Sequence, residues 1–289
     1  MMRLTIRDIQ RMKDEGEPIV MLTAYDATSA RLSEAAGVPA ILVGDTLGMV
    51  VQGHDSTLPV TLDHMIYHCE IVTRVTERPL VIGDMPFMTY NVSPEQALEN
   101  AGRLMQEAGV SCVKLEGGEY MAPTIERIVR AGIPVMAHIG LTPQSVNQFG
   151  GFRVQGKELE SARRLLTDAD AVQAAGAFSV VLELVPKQLA RMITEKLYIP
   201  TIGIGAGLHC DGQVQVFHDI LTLFDAFSPR HAKRYANISE MMQAAISRYV
   251  TDVQEEQFPT DENSFSMNPE VIAALQGEGA DNGASGGSN

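Results

Sequence analysis

The sequence predicts a single parallel (β/α)8 barrel of the TIM class, and three observations carry that expectation. Five short apolar runs each lead into an acidic residue: MLTAYD to Asp26, ILVGD to Asp45, LVIGD to Asp84, CVKLE to Glu116 and VVLE to Glu183. Helical segments that stop at glycine alternate with apolar runs along most of the chain, the pattern of an α/β fold with parallel strands. The 289 residues accommodate the roughly 250 that eight strand-helix units need.

Residues 5–16 read as a short amphipathic helix, with Thr5 as N-cap and Asp8 completing a variant capping box, placed to plug one end of the barrel. Strands are expected near 19–25, 40–44, 79–84, 112–116, 133–138, 178–183, 199–204 and 214–220. They are rich in Val, Ile and Leu without clean alternation, as strands covered on both faces are. Ser93-Pro94 followed by Gln96 supplies an N-cap, a first-turn proline and a capping partner, and Gly109 supplies the stop. Gly37, Gly132 and Gly176 end other helices in the same way.

Two long connections, 45–61 and 140–157, follow strand C-terminal ends and hold more Gly, Gln and Ser than a connector requires. Loops of that length on that face form lids or substrate walls; a surface excursion or oligomer contact is the alternative. The organisation expected is one barrel domain over 1–260, then a tail over 261–289, acidic and afterwards Gly/Ser-rich. That tail is expected to be disordered, apart from a short helix near 268–276.

Composition narrows the function. A formal net charge of −14 without a basic stripe argues against nucleic acid, whose phosphates need clustered Lys and Arg. Cys69, Cys112 and Cys210 are odd in number and far apart, which points to a reducing compartment and free thiols. The N-terminus has charges where a signal peptide has its apolar core, and no apolar run approaches the ~20 residues of a membrane span. The expectation is a soluble cytoplasmic protein with no membrane partner.

In a parallel barrel the active site lies at the C-terminal mouth. Asp45 and Asp84 each follow a Gly that leaves room beside the strand, and two converging carboxylates suit Mg2+, which fills its other positions with water and substrate oxygens. Glu116 is a candidate third ligand or an acceptor for metal-bound water. The alternative for any one strand-end Asp is an N-cap. Lys114 lies two residues before Glu116 and so on the same side of the strand, either as a fixed charge for a carboxylate or enolate oxygen or as a Schiff-base nucleophile. Neighbouring carboxylates that keep it protonated favour the fixed charge. Glu183, flanked by apolar residues, is a candidate general base, with a salt bridge as the alternative. His138 ends the MAH run.

Weaker groupings remain. His64 and His68 are spaced as a helical metal pair lacking a third ligand. His209, Cys210 and Asp211 cluster without a CxxC. GIGAG (203–207) could cradle a phosphate or simply permit a tight turn.

The segments TAYD (23–26), LVGDTLGMVVQGHDSTLPVT (42–61), GDMPFMTY (83–90), VKLEGGE (113–119), HIGLTPQSVNQFGGFRVQG (138–156), LELVP (182–186) and IPTIGIGAG (199–207) closely resemble the ketopantoate hydroxymethyltransferase family, over about residues 3–260. That resemblance implies a barrel of the phosphoenolpyruvate mutase/isocitrate lyase-like superfamily, assembled as a homodecamer in many members. It implies transfer of a one-carbon unit from 5,10-methylenetetrahydrofolate, as co-substrate, to 3-methyl-2-oxobutanoate through a Mg-stabilised enolate, giving 2-dehydropantoate on the way to pantothenate and coenzyme A. Matched residue by residue, Asp45 and Asp84 are the Mg2+ ligands and substrate contacts, and Glu116 is the third acid. Lys114 contacts the 2-oxo acid, His138 is an active-site histidine and Glu183 is the proton acceptor. Thr46 stands where many members have Ser as a substrate-carboxylate contact; its hydroxyl remains and its methyl narrows the pocket. The rival readings are a Mg-dependent lyase acting on a 2-oxo acid, for which a KKCGH-like motif is missing, and a non-catalytic barrel that binds a small ligand.

Overall fold

The computed structural model describes residues 2–151, 153–224 and 229–281. Eight parallel strands close into a barrel in sequence order. They are β1 (Ile19–Thr23), β2 (Ala40–Val43), β3 (Leu80–Asp84), β4 (Cys112–Glu116), β5 (Val135–Gly140), β6 (Ser179–Glu183), β7 (Thr201–Ile204) and β8 (Gly212–Gln215). The first seven fall where expected. The eighth is a correction: the strand is Gly212–Gln215, and Phe217–Ile220, expected to continue it, is a short helix.

Alternation along the strands builds the barrel interior. Ile19 and Met21, Ala40 and Leu42, Leu80 and Ile82, Cys112, Met136, Val181, Ile202 and Val214 form one apolar cluster with Ile9 and Met12 of the N-terminal helix Ile6–Asp14. That helix carries the expected Thr5–Asp8 capping box and closes the lower end. Lys13 ties it down, its ammonium donating to Asp211 and to the carbonyls of Leu197 and Ile199. Two residues further along β3, β4, β5 and β6 the inward position turns polar. Ile82 gives way to Asp84, Cys112 to Lys114 and Glu116, Met136 to His138, and Val181 to Glu183. Strand parity thus separates a dry floor from a charged mouth.

A second, larger cluster fills the space between strands and outer helices, such as Leu62–Val75, Pro94–Ala108 and Ala122–Arg130. Their ends follow the local chemistry. Ser93 accepts from the Gln96 N–H at 3.2 Å, Gln96 reaches back to the Val92 N–H, and Gly109 stops the helix at φ +67°. The outer face of the β8–β1 seam is barer, with Val20 52% exposed and Gln213 also exposed.

The chain divides into two compact units, Met1–Ala236 and Asn237–Asn289, so the first ends earlier than the domain limit expected at 260. In the second unit the helix Ile238–Gln254 buries none of its side chains. A further helix, Pro269–Asp281, extends past the expected 268–276 and into the stretch expected to be disordered; the rest of that stretch, 282–289, lies outside the described residues. Among the described residues no helix is long and apolar enough to cross a membrane.

Ile9 is 1% exposed at the barrel floor. Ile9→Ala is expected to lower unfolding stability by about 2–5 kcal/mol, read from urea denaturation monitored by circular dichroism.

Candidate functional site

The mouth is built from strand ends in register. Asp84 on β3 pairs with Lys114 on β4, and Glu116 on β4 pairs with His138 on β5. The Lys114 ammonium donates to both oxygens of Asp84, at 2.7 and 2.8 Å. Asp45, two residues beyond β2, donates its N–H to Asp84 Oδ2 at 3.3 Å. His138 lies between two acids, with Nδ1 3.5 Å from Glu116 Oε1 and Nε2 3.2 Å from Glu183 Oε2. Neither nitrogen has an aligned hydrogen bond. Asp45, Asp84, Lys114, Glu116 and His138 are all buried, while the Glu183 side chain is 13% exposed at the rim.

Burial sets the electrostatics. The Asp45 carboxyl is pushed well above the usual range by desolvation and by Asp84 and Glu116. Asp84 is raised by desolvation too, with Lys114 pulling the other way. Burial alone would lower the Lys114 ammonium, but Asp84, Glu116 and Asp45 together hold it above its ordinary value. For His138 burial is likewise outweighed, by Glu116 and Glu183, and its pKa rises to about 9. Four acidic side chains therefore face two cations, and with all four ionised the mouth would be short of two positive charges.

That deficit and the all-oxygen donor set fit a hard divalent cation. Among the described residues no three His, Cys, Asp or Glu side chains converge as a ready-made cage. Two carboxylates with water and substrate oxygens are the arrangement Mg2+ commonly takes.

A cavity of about 50 Å3 sits among Asp45, Asp84, Lys114, Glu116, His138 and Glu183, room for little beyond water. It meets a larger one of about 1450 Å3 at Thr46, Pro143, Glu183 and Gln215, which line both. The two long loops wall the larger space through Met49, Val50 and Thr57, and through Pro143 and Val154.

The remaining predicted residues have local jobs. Asp26 is a correction: it caps the helix Ala27–Ala35, accepting from the Ser29 N–H at 2.8 Å, and stays out of the mouth. His64 closes the capping box at Thr61, and His68 Nδ1 donates to the Tyr25 carbonyl at 2.6 Å. Asp211 accepts from Lys13 and from the Thr201 N–H and hydroxyl. A Cβ on Gly83 would meet Val110 and Cys69, so the room beside that strand is filled by packing. Gly205 and Gly207 likewise let Leu184 and Lys187 approach closely.

Two residues escaped the sequence reading. Gln144, 5% exposed, donates through Nε2 to Asp45 Oδ2 at 2.8 Å and to the Met85 carbonyl at 3.0 Å. Its main-chain N–H donates to Glu116 Oε2 at 3.0 Å. The Tyr90 hydroxyl donates to Gln144 Oε1 at 2.5 Å and accepts from the Glu116 N–H. Both lie outside the strand-end pattern, Gln144 in the short 3-10 turn Pro143–Ser145 and Tyr90 in a loop, where only a polar side chain beside TP or in PFMTY could have signalled them.

Comparison with known proteins gives a consistent picture. The sequence profile of the ketopantoate hydroxymethyltransferase family matches residues 3–261. A 3-methyl-2-oxobutanoate hydroxymethyltransferase from Chloroflexus aurantiacus is 61% identical over 276 residues, covering 96% of this chain and 98% of the relative. Among solved structures, 2,3-dimethylmalate lyase, a PEP mutase/isocitrate lyase superfamily member, aligns with TM-score 0.55 at 18% identity over 98% of this chain and 99% of its own. Phosphonopyruvate hydrolase, solved with oxalate and Mg2+, aligns with TM-score 0.57 at 13% identity over 97% and 98%. At those identities the structural likeness is one of fold.

The His138 imidazole is expected to titrate near 9 in the metal-free protein, followed by its ring-proton NMR shift, and to titrate lower in Glu183→Gln. A raised histidine pKa stabilises the fold fully below its unfolded value of ~6.5, and the benefit is lost as pH rises through about 9. Urea midpoints across that window, compared with those of His138→Gln, check the sign.

Proposed function

The chain belongs to the ketopantoate hydroxymethyltransferase family, and from that premise we propose that it transfers a one-carbon unit from 5,10-methylenetetrahydrofolate to 3-methyl-2-oxobutanoate, forming 2-dehydropantoate in pantothenate biosynthesis. The observation that carries the reading is the buried acid mouth beside Lys114 and Glu183, in a chain 61% identical to a relative of that name. Neither the lyase nor the non-catalytic barrel is favoured by the family match.

Asp45 and Asp84 would hold Mg2+, with Glu116 as the third acid. Bound there, the cation supplies Lewis-acid polarisation of the 2-oxo acid. Glu183, at the rim and lining both cavities, takes the proton from C3 of the substrate. His138, lying as a cation between Glu116 and Glu183, tempers the charge of the base. Lys114, fixed by its two bonds to Asp84, is an ammonium already in place where negative charge develops, which supports the electrostatic role over a Schiff base. Thr46 offers its hydroxyl where the two cavities meet, within reach of a substrate carboxylate at the mouth. The larger space takes the folate; water adds to the methylene that it carries, and the C–N bonds to the folate break with the nitrogens leaving as amines. The C3 carbanion equivalent attacks the one-carbon unit so released, the oxygen of that water becoming the hydroxyl of the product.

The protein works in the cytoplasm as a homo-oligomer, a decamer by the family resemblance. Unburied Met242, Ile246, Tyr249, Val250 and Val253 form one helical stripe, which supports self-association. Sedimentation velocity is expected to give one species larger than the 31.4 kDa protomer.

The test of the chemistry is proton NMR of 3-methyl-2-oxobutanoate in deuterium oxide with the purified protein. Mg2+-dependent loss of the C3 proton signal is expected, followed by a hydroxymethyl resonance once methylenetetrahydrofolate is added. Glu183→Ala should slow the exchange by about 10^2 to 10^4, and unchanged exchange would remove Glu183 from the role of base. Asp84→Ala should raise the Mg2+ concentration needed; full activity at limiting Mg2+ contradicts its ligand role.

A further inference from the structure

Among the described residues Gln144 is the one neutral residue bonded directly to the side chains of both Asp45, through its amide, and Glu116, through its main-chain N–H, and the orientation of its amide is determined. The Met85 carbonyl can only accept, so the atom facing it and Asp45 Oδ2 is the NH2 group. The amide oxygen therefore faces Tyr90, whose hydroxyl donates to it and in turn accepts from the Glu116 N–H. The chain of bonds runs one way, from the Glu116 main chain through Tyr90 and Gln144 to Asp45. Meanwhile the Gln144 N–H holds the other end of the Glu116 side chain. Tyr90 and Gln144 are buried, and every polar atom of the Gln144 side chain is satisfied.

The consequence for the acids is directional. One oxygen of Asp45, Oδ2, is committed to the Gln144 amide, and one oxygen of Glu116, Oε2, to the Gln144 main chain. Oδ1 of Asp45 is left to the mouth, and Oε1 of Glu116 to the side of His138. Without the amide, Asp45 could turn about its last torsion and present either oxygen, and an acid that must be reordered on binding holds a cation more weakly.

Gln144 also belongs to the loop 140–157, which is stitched to the strand end that carries Glu183. The Leu141 N–H donates to the Glu183 carbonyl at 2.8 Å and the Gln155 N–H to the Leu184 carbonyl at 2.9 Å. A single loop thus touches the base and its neighbour Leu184 at one point each, and the acids Asp45 and Glu116 at two more.

Resting on the reading of Asp45 as a metal ligand, we infer that Gln144, locked by Tyr90, is a positioning residue that selects which oxygens of Asp45 and Glu116 face the mouth and thereby sets its affinity for a divalent cation, without touching cation or substrate. Its removal weakens metal binding and leaves the base intact.

The experiment is direct Mn2+ binding to the full-length, metal-free protein, read by the loss of the free-ion EPR signal with no substrate present. Gln144→Leu keeps most of the volume and is expected to bind Mn2+ about 10- to 100-fold more weakly. Tyr90→Phe leaves the amide in place but unlocks it, and a loss of about fivefold is expected. Adding Tyr90→Phe to Gln144→Leu should cost little more, since the two act through one chain of bonds. At saturating Mn2+ the C3–H exchange rate of both single variants should return to the wild-type value, which general structural damage would not allow. Wild-type affinity in Gln144→Leu, or exchange that excess metal fails to restore, overturns the inference while the metal reading stands. If Gln144→Leu does not fold, Tyr90→Phe decides alone, unchanged affinity counting against the proposal. Absence of Mn2+ binding by the wild-type protein overturns both the inference and the metal role of Asp45.

Discussion

Negative charge buried beyond what its neighbours neutralise is the constraint on which the rest of this structure depends. Moving a carboxylate out of water carries a penalty of several kcal/mol unless charge and hydrogen bonds compensate. Asp45, Asp84 and Glu116 are each 2–3% exposed. The Lys114 ammonium on Asp84, the His138 imidazole between Glu116 and Glu183, and the Gln144 amide on Asp45 answer part of that penalty. A divalent cation of the kind proposed would answer the remainder, which would make the mouth receptive to it. Such a site needs a rigid frame, and the barrel supplies it through a dry floor directly beneath the charged layer.

Much of the site was legible because strand parity and chain order carry it. A lysine two residues before a glutamate on a strand must share its side, and acids that end apolar runs in an α/β chain gather at one mouth. Asp45, Asp84, Lys114, Glu116 and Glu183 met by that logic, and His138 joins them as the residue that ends the MAH run. The same pattern misplaced Asp26, because a strand-end acid and a helix N-cap look alike in sequence. What separates them is distance from the strand end: β1 stops at Thr23, three residues before Asp26, whereas Asp84, Glu116 and Glu183 are the last residues of their own strands. The eighth strand was shifted for a related reason. Val214 and Val216 with Phe217 read as one apolar run, yet only GQVQ lies against β1 and the rest turns into a helix.

Gln144 and Tyr90 were not legible, because their partners come from elsewhere in the chain. Gln144 meets Asp45 across 99 positions and Tyr90 across 54. Neither contact leaves a periodic trace, since each depends on how loops fold over a finished barrel. The glycines of those loops are more telling in retrospect. Gly140 sits at φ +93°, and a Cβ there would fall 2.3 Å from the Glu183 carbonyl oxygen. Any other residue at that position would push apart β5 and β6, the strands that carry His138 and Glu183.

The division of labour across the mouth follows from depth. The acids assigned to the metal are sealed and cross-linked, so their oxygens keep fixed directions whatever enters. Glu183 is placed differently: its side chain is 13% exposed, it lines both cavities, and its neighbour Leu184 sits in the left-handed region at φ +47°. A non-glycine residue there stores strain of order 1–3 kcal/mol. It persists because the Leu184 N–H donates to the Ile204 carbonyl and its own carbonyl accepts from Gln155. A base must meet a substrate that comes and goes, so it belongs at the edge of the charged layer, gripped through its backbone and free at its carboxylate. A metal ligand has the opposite requirement, and in the proposed mechanism both are met by residues on different strands at different depths.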